Sequence, residues 1–390
     1  MKIAYISSTA FSDVDLSYLS VARQELDITY YLLLNPLCLR RAAINIQRFA
    51  PGNGIFPWSI YPDLKGLEKF VDLGKVRVVN RATRGWHPRT IWVTHQLVKE
   101  LKREQYDIVH LNWPPTLLSA ELLRFRERMV LTMHDPFPHS DENSLKNKVF
   151  RRIAVLGLRN FVVLNEAQKE RFVEYYRLRD KRVFSTTLSS YIYLRGVSEA
   201  SVEPMESPYI LFFGQVAEHK GLQVLFPAFR KICEKFPGVK LVAAGRGQYP
   251  MDLGPYLATG RYDVRNRFIP DGELVGLIRN ALFVVVPYLD ATQSGVVMSS
   301  FAFHRPVVAT RVGGLPEMVL DGKYGLLVEP GDEQDLASKM EMMLDNVSMR
   351  EQMSKAIEAD YDEGRKSWKQ TVQDFKRIYE QILDGNAHGR

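Results

Sequence analysis

The chain has 390 residues and is poor in cysteine, with only Cys38 and Cys233. Two thiols exclude a disulfide framework, and this pair lacks metal-ligand spacing. Both read as reduced core residues, which fits a cytosolic protein. No apolar run approaches the roughly 20 residues a transmembrane helix needs. The opening Met1-Lys2-Ile3-Ala4-Tyr5-Ile6 reads as a first strand, without the apolar core or cleavage site of a signal peptide. Low-complexity stretches are also missing. With 46% apolar and 25% charged residues, the composition excludes disorder and supports sizeable cores.

Positive charge is present but unevenly placed within the net +7. Residues 1–195 carry 30 Lys+Arg against 19 Asp+Glu, and residues 196–390 carry 22 against 26. A basic first half fits nucleic acid, anionic lipid or a phosphorylated small molecule. The plain alternative is a solvated surface. No nucleic-acid recognition motif accompanies the charge, so no nucleic-acid partner is expected.

The length suggests two or three domains. Short apolar runs alternate with helical patterns, which predicts α/β architecture with parallel sheets. In the first half, strands are expected at Lys2–Ile6, Ile28–Leu33, Asp107–Leu111, Met129–Met133 and Asn160–Leu164. In the second half they fall at Tyr209–Phe213, Val239–Ala244, Leu282–Val286, Val307–Thr310 and Gly325–Val328. The clearest helix follows Gly221, with Leu222, Leu225, Phe226, Phe229, Cys233 and Phe236 on one face. The polar, aperiodic stretch Val197–Ser207 marks the boundary. The expected domains are 1–200, 201–365 and a C-terminal helix, 366–390, that packs back onto the first. The stripe of that helix is Trp368, Val372, Phe375, Ile378, Tyr379 and Ile382.

Four strand ends carry ligand-binding chemistry. In Phe213-Gly214-Gln215-Val216-Ala217-Glu218-His219-Lys220-Gly221, Gly214 permits close backbone approach. Lys220 just precedes a helix, so its ammonium and the helix N-terminus can share one phosphate. The Gly-x-Gly of Ala244-Gly245-Arg246-Gly247 is a weak signal alone, and Arg246 reads equally as a solvated loop residue. Pro287-Tyr288-Leu289-Asp290-Ala291-Thr292-Gln293-Ser294-Gly295-Val296 offers hydroxyls, an amide and backbone N–H groups to an anion. It also reads as a capped helix start, with Thr292 or Ser294 as N-cap. In Gly313-Gly314-Leu315-Pro316-Glu317, Glu317 suits sugar hydroxyls or simply the N-terminus of a helix.

These four segments, in this order, resemble glycosyltransferase family 4, closely over residues 207–335 and in outline over the first half. The resemblance implies the GT-B architecture, two Rossmann-like domains whose parallel sheets face across a cleft. It also implies a retaining, metal-independent transfer from a nucleotide-diphosphate sugar to a glycan or lipid-linked acceptor, in polysaccharide or glycoconjugate synthesis. Lys220 matches the family lysine on the donor diphosphate. Gln215 stands where the family has a basic residue, and Ala291 and Ser299 stand where it has paired glutamates. Thr292-Gln293-Ser294-Gly295 resembles a variant loop of a family subset, which implies a substituted donor site. The donor set is therefore Gly214, Gln215, Lys220, Arg246, Thr292, Gln293, Ser294, Gly295, Val296 and Glu317. His134, which ends the Met129–Met133 strand, matches a family histidine placed against the donor sugar. With Lys220 it forms the catalytic pair, while His110, Trp113, Asp135 and His139 are assigned to the acceptor side.

On this reading, Lys220 and a helix N-terminus stabilise charge on the leaving phosphate, and cleft closure aligns the acceptor. Other classes remain: a catalytically inactive nucleotide-sugar binder, or an epimerase or hydrolase on the same fold. Asp13-Val14-Asp15, in an apparent N-terminal loop, and Asp360-Tyr361-Asp362, near the C-terminal helix, read as chance matches to a metal motif. No metal and no cofactor beyond the nucleotide sugar is expected. The protein is expected in the cytoplasm. Phe150–Arg159 is read first as an amphipathic helix with its apolar face in the core, and second as a weak peripheral contact at the inner face of the membrane.

Overall fold

Apolar runs that end in glycine or polar residues become buried parallel strands, and helices with apolar stripes cover them. This computed structural model describes residues 1–36, 39–41, 44–50, 52–83, 87–112, 121–134, 136–137, 152, 155–198, 205, 207–291 and 293–387. The chain forms two units: Met1–Leu188 with Trp368–Arg390, and Ser189–Ser367. Both are α/β, each with its own sheet.

Unit 1 contains β1 (Lys2–Ser8), β2 (Asp27–Leu34), the short antiparallel pair β3 (Arg40–Arg41) and β4 (Ile44–Asn45), β5 (Gly54–Pro57), β6 (Val76–Asn80), β7 (Ile108–Leu111), β8 (Met129–Met133), β9 (Asn160–Val163) and β10 (Arg182–Ser185). The main sheet runs β10-β9-β8-β7-β1-β2-β6-β5 and is parallel except at β5. Its helices include α1 (Ser12–Ala22), α2 (Pro88–Arg103) and α3 (Glu166–Tyr176). On one face, Val93, Leu97 and Leu101 of α2 join a core with Ile6, Val109, Leu131 and Phe161. Asp13 and Asp15, expected in a loop, lie in α1, and Asp15 is fully buried.

Unit 2 contains β11 (Tyr209–Phe213), β12 (Lys240–Ala244), β13 (Tyr262–Arg265), β14 (Val284–Val286), β15 (Val307–Thr310) and β16 (Gly325–Val328). The order is β13-β12-β11-β14-β15-β16, all parallel. Its helices are α4 (Leu222–Ile232), α5 (Gly254–Leu257), α6 (Asp271–Asn280), α7 (Gly295–Phe301), α8 (Leu315–Val319), α9 (Glu333–Asp345) and α10 (Val347–Glu358). The stripe on α4 is buried as its spacing predicts, but the helix ends at Ile232, so Phe236 lies beyond it. Unit 2 begins upstream of the polar stretch 197–207. Tyr191 N–H already donates to the Met298 carbonyl at 3.1 Å, and Arg195 pairs with Asp362 at 2.7 Å.

The last helix, α11 (Trp368–Ala387), belongs to unit 1. All six residues of its expected stripe are buried. Polar contacts reinforce the packing: Thr186 Oγ1 donates to Asp374 at 3.1 Å, and Thr371 Oγ1 donates to the Thr187 carbonyl at 3.1 Å. No helix of the described residues is long and apolar enough to cross a membrane. In the 150–159 stretch, Val155 and Leu158 are buried, whereas Leu156 is exposed.

Candidate active site

In unit 2 the loops leaving β11 and β14 touch. After Phe213 the chain passes Gly214 to a 3-10 turn, Glu218–Lys220, and Gly221 then opens α4. Gly221 has φ +73°, and a Cβ on it would lie 1.8 Å from the carbonyl oxygen of Pro287, just after β14. On the same seam, Leu289 N–H donates to the His219 carbonyl at 2.8 Å. The loop after β12 is equally close: a Cβ on Gly245 would meet the Gly214 carbonyl oxygen at 1.7 Å. Side chains of any size would force these three strand ends apart.

The Lys220 ammonium sits 3.7 Å above the centre of the Tyr288 ring. Among the described residues, no carboxylate lies within ion-pair distance of it. Burial pulls its pKa down to about 8, against the opposite pull of Asp290. The ring face attracts the cation weakly, and α4 begins two residues on, after its N-cap Gly221. Tyr288 is buried, which pushes its hydroxyl up to about 12, and its side chain is hydrogen-bonded to that of Ser294. Ser294 is the N-cap of α7, its Oγ accepting from Val297 N–H at 3.4 Å.

The structure therefore brings Gly214, Lys220 and Ser294 to one set of loops. Val296 joins them, its Cγ2 lying 3.4 Å from the position a Cβ on Gly214 would take. Gly295 is exposed beside it, and Gln293 is half-buried. Gln215, Arg246 and Glu317 are exposed, with no side-chain bond among the described residues. Ala291 and Ser299 are buried. Thr292 lies outside the described residues, as do Trp113, Asp135 and His139.

In unit 1 a buried polar chain runs beneath His134. The imidazole stacks on Phe11, with centroids 4.4 Å apart, and its Nε2 lies 2.7 Å from Asn112 Oδ1. Asn112 Nδ2 donates to Asp15 at 2.5 Å. The same carboxylate accepts from the Tyr5 hydroxyl at 2.9 Å and the Tyr30 hydroxyl at 3.0 Å. Burial pushes Asp15 up to about 7, while hydrogen bonds from Ser7, Tyr5, Tyr30 and Asn112 pull it back.

His110 corrects an expectation. It is fully buried, with Nδ1 2.6 Å from the Tyr379 hydroxyl and Nε2 2.7 Å from Thr132 Oγ1. Burial, then the neighbouring His134, lowers its pKa to about 3, so it stays neutral. Nδ1 is used in anchoring α11 and Nε2 in bonding β8, so a buried His110 with both nitrogens occupied is taken off the acceptor side. Among the described residues, His304, Glu358 and Asp362 place three potential ligand atoms within 4.8 Å of one another. The Arg195 guanidinium already donates to both Asp362 oxygens, so a cation there would meet a fixed positive charge.

Asp15 gives a stability prediction. Its folded pKa is raised from 3.8 to about 7, so the folded state holds a proton the unfolded chain has released. The stability this group contributes is fully present below its unfolded pKa and is lost as the pH rises through about 7. Asp15→Asn mimics the protonated form. Its melting temperature relative to wild type is expected to be higher at pH 8.5 than at pH 5.5, by about 5 °C or more. An equal difference at both pH values contradicts the assignment.

Sequence reasoning left out Tyr288, Phe11, Asn112 and Asp15 as site residues. Asp15 had one readable signal, because it shares a helix face with Leu19 and Ala22 at spacings of four and seven.

Two α/β units, each built on a mostly parallel sheet, match the GT-B architecture. The solved structure of HepE from Anabaena in complex with UDP shares the fold at TM-score 0.65 and 16% identity, over the full length of both chains. Residues 41–184 match Glycosyltransferase Family 4, and residues 207–346 match Glycosyl transferases group 1. The chain belongs to these family 4, group 1 glycosyltransferases. It is 25% identical to an uncharacterized glycosyltransferase of Methanocaldococcus jannaschii over 297 residues, 73% of this chain and 78% of that one. It is 34% identical to a D-inositol 3-phosphate glycosyltransferase of Arthrobacter over 155 residues, 38% of this chain and 37% of that relative.

Proposed function

We propose that this glycosyltransferase takes a sugar from a nucleotide-diphosphate donor held by unit 2 and passes it to a glycan or lipid-linked acceptor served by unit 1. The observation that carries the reading is Lys220: a half-buried ammonium without a carboxylate partner among the described residues, beside the N-terminus of α4. Both features favour a diphosphate. The structural neighbour solved with UDP, and the same neighbour solved with UDP-glucose, support a uridine donor. Charge builds on the diphosphate as the glycosidic bond breaks, and Lys220 stabilises it there. In a retaining transfer the departing phosphate takes the acceptor proton on the same face, so no protein carboxylate is required as base. Polysaccharide or glycoconjugate synthesis in the cytoplasm, without a metal, completes the proposal. The basic half of the chain supports a weak contact with the inner face of the membrane.

The test is a thermal-shift screen against nucleotides and nucleotide sugars, followed by product analysis with and without acceptor. A cognate donor at about 100 times its Kd stabilises by about 2.7 kcal/mol, which moves the melting point by about 5–10 °C. No stabilisation by any nucleotide diphosphate or its sugar sinks the reading. Sugar release or epimerisation without transfer replaces it with the hydrolase or epimerase alternative.

A further inference from the structure

We infer that Asp15 and Asn112 are positioning residues for His134, a buried relay that fixes which imidazole nitrogen carries the proton and how the ring is oriented. The inference rests on the reading of His134 as a residue of the transfer site.

The hydrogen-bond logic runs in one direction. An ionised carboxylate only accepts, and Asp15 is surrounded by donors: the hydroxyls of Tyr5, Tyr30 and Ser7, and the amide of Asn112. The Asn112 NH2 group must therefore face Asp15, with Ser7 Oγ a further 3.4 Å contact. That leaves Asn112 Oδ1 to face His134 Nε2 at 2.7 Å, and an amide oxygen there requires Nε2 to hold the proton. Phe11 stacks on the ring at an interplanar angle of 21° and sets its plane. Tautomer and orientation are thus both determined from inside unit 1.

The arrangement is costly as plain structure. Among the described residues no cation pairs with Asp15, and a carboxylate at 0% exposure loses its hydration. Tyrosine hydroxyls and an amide would be satisfied by any neutral acceptor. What an ionised acceptor adds is direction, because it forbids the flipped amide. Protonating Asp15 places a donor among donors and releases that constraint.

The titratable groups around Asp15 are Tyr5 on β1, Tyr30 on β2, Tyr18 on α1, Tyr379 on α11, and His110 and His134 at the ends of β7 and β8. Burial holds all four tyrosines protonated. His110 stays neutral. Asp15 is then the carboxyl of this set that changes charge near neutral pH.

The experiment uses the full chain labelled with 15N-histidine, with the His134 signal assigned from its loss in His134→Gln. Long-range 15N–1H spectra at pH 8 are expected to show His134 as the Nε2–H tautomer in wild type and in the control Asp13→Asn. Asn112→Ala and Asp15→Asn are expected to give mixed tautomers. In the transfer assay both variants are expected to lose about 10- to 100-fold in kcat, with donor KM within about twofold. Two variants guard against misfolding of either. An unchanged His134 spectrum in whichever of them folds overturns the positioning assignment, whatever the activity. A mixed tautomer with unchanged kcat overturns it as well. Absence of transfer by wild type with every donor that binds strikes the functional reading instead, and leaves the tautomer result to decide the relay.

Discussion

Replacing Lys220 with alanine is expected to lower kcat by about 100- to 1000-fold with folding intact. The magnitude is that of removing one preorganised group that stabilises charge only as the leaving group departs. Intact folding follows from the environment. Burial opposes the Lys220 charge and moves its pKa down to about 8, and the Tyr288 ring offsets part of that. Deleting the ammonium removes a desolvated charge, so the melting point is expected to stay within a few degrees of wild type. The pH dependence has a definite sign. Lys220 is charged below about 8 and neutral above, so kcat/KM for the donor falls as pH rises through that value. Lys220→Arg keeps its charge throughout this range and is expected to remove the alkaline fall, at a lower plateau. Unchanged steady-state kinetics in Lys220→Ala remove the residue from the site.

The part of this site that was legible in sequence is the part built from local rules. Tyr209–Phe213 and Val307–Thr310 are continuous apolar runs because each strand is covered on both faces, and their bounds match the structure residue for residue. Besides the short β3–β4 pair, the strands without a prior expectation are β5, β6, β10 and β13, and the four are all in the main sheets. Three of them lie at sheet edges, where one side stays half-exposed and the apolar run breaks up; β6 lies inside but carries Arg77. Lys220 was legible as a candidate because a glycine-ended strand followed by a helix marks a possible phosphate side from the chain order alone. Its partner Tyr288 was not, since that contact exists only once β11 and β14 pair.

Two histidines make the same point. His110 and His134 both stand at strand ends, and nothing local separates them. His110 lies within β7, opposite Val130, and faces Thr132 and α11. His134 is one residue beyond β8 and meets Phe11 and Asn112 instead. His134 lies four residues further along the sheet than Val130, the register partner of His110, and that offset separates anchoring a helix from joining the candidate site. Only the assembled sheet supplies that register.

Gly221→Ala is expected to abolish donor binding and to destabilise unit 2 severely, although it adds one methyl group. Two costs coincide. At φ +73° an L-residue occupies the left-handed region, costing about 1–2 kcal/mol. The new Cβ would also lie 1.8 Å from the Pro287 carbonyl oxygen, and 2.8 Å from its carbon. Backbone on both sides of that clash cannot rotate away, so the seam itself must open. Opening it separates the Lys220 turn from Tyr288 and breaks the Leu289–His219 hydrogen bond. Lys220 would then gain water and its pKa would return toward 10.5. The expected readouts are a melting point lower by about 5 °C or more, loss of the nucleotide thermal shift, and faster hydrogen exchange across residues 214–221 and 287–290. Gly238→Ala is the matched control, since a Cβ there meets nothing within 4 Å. If Gly221→Ala binds donor like that control, the two loops do not form one site, and the assignment of Lys220 to the diphosphate loses its structural basis.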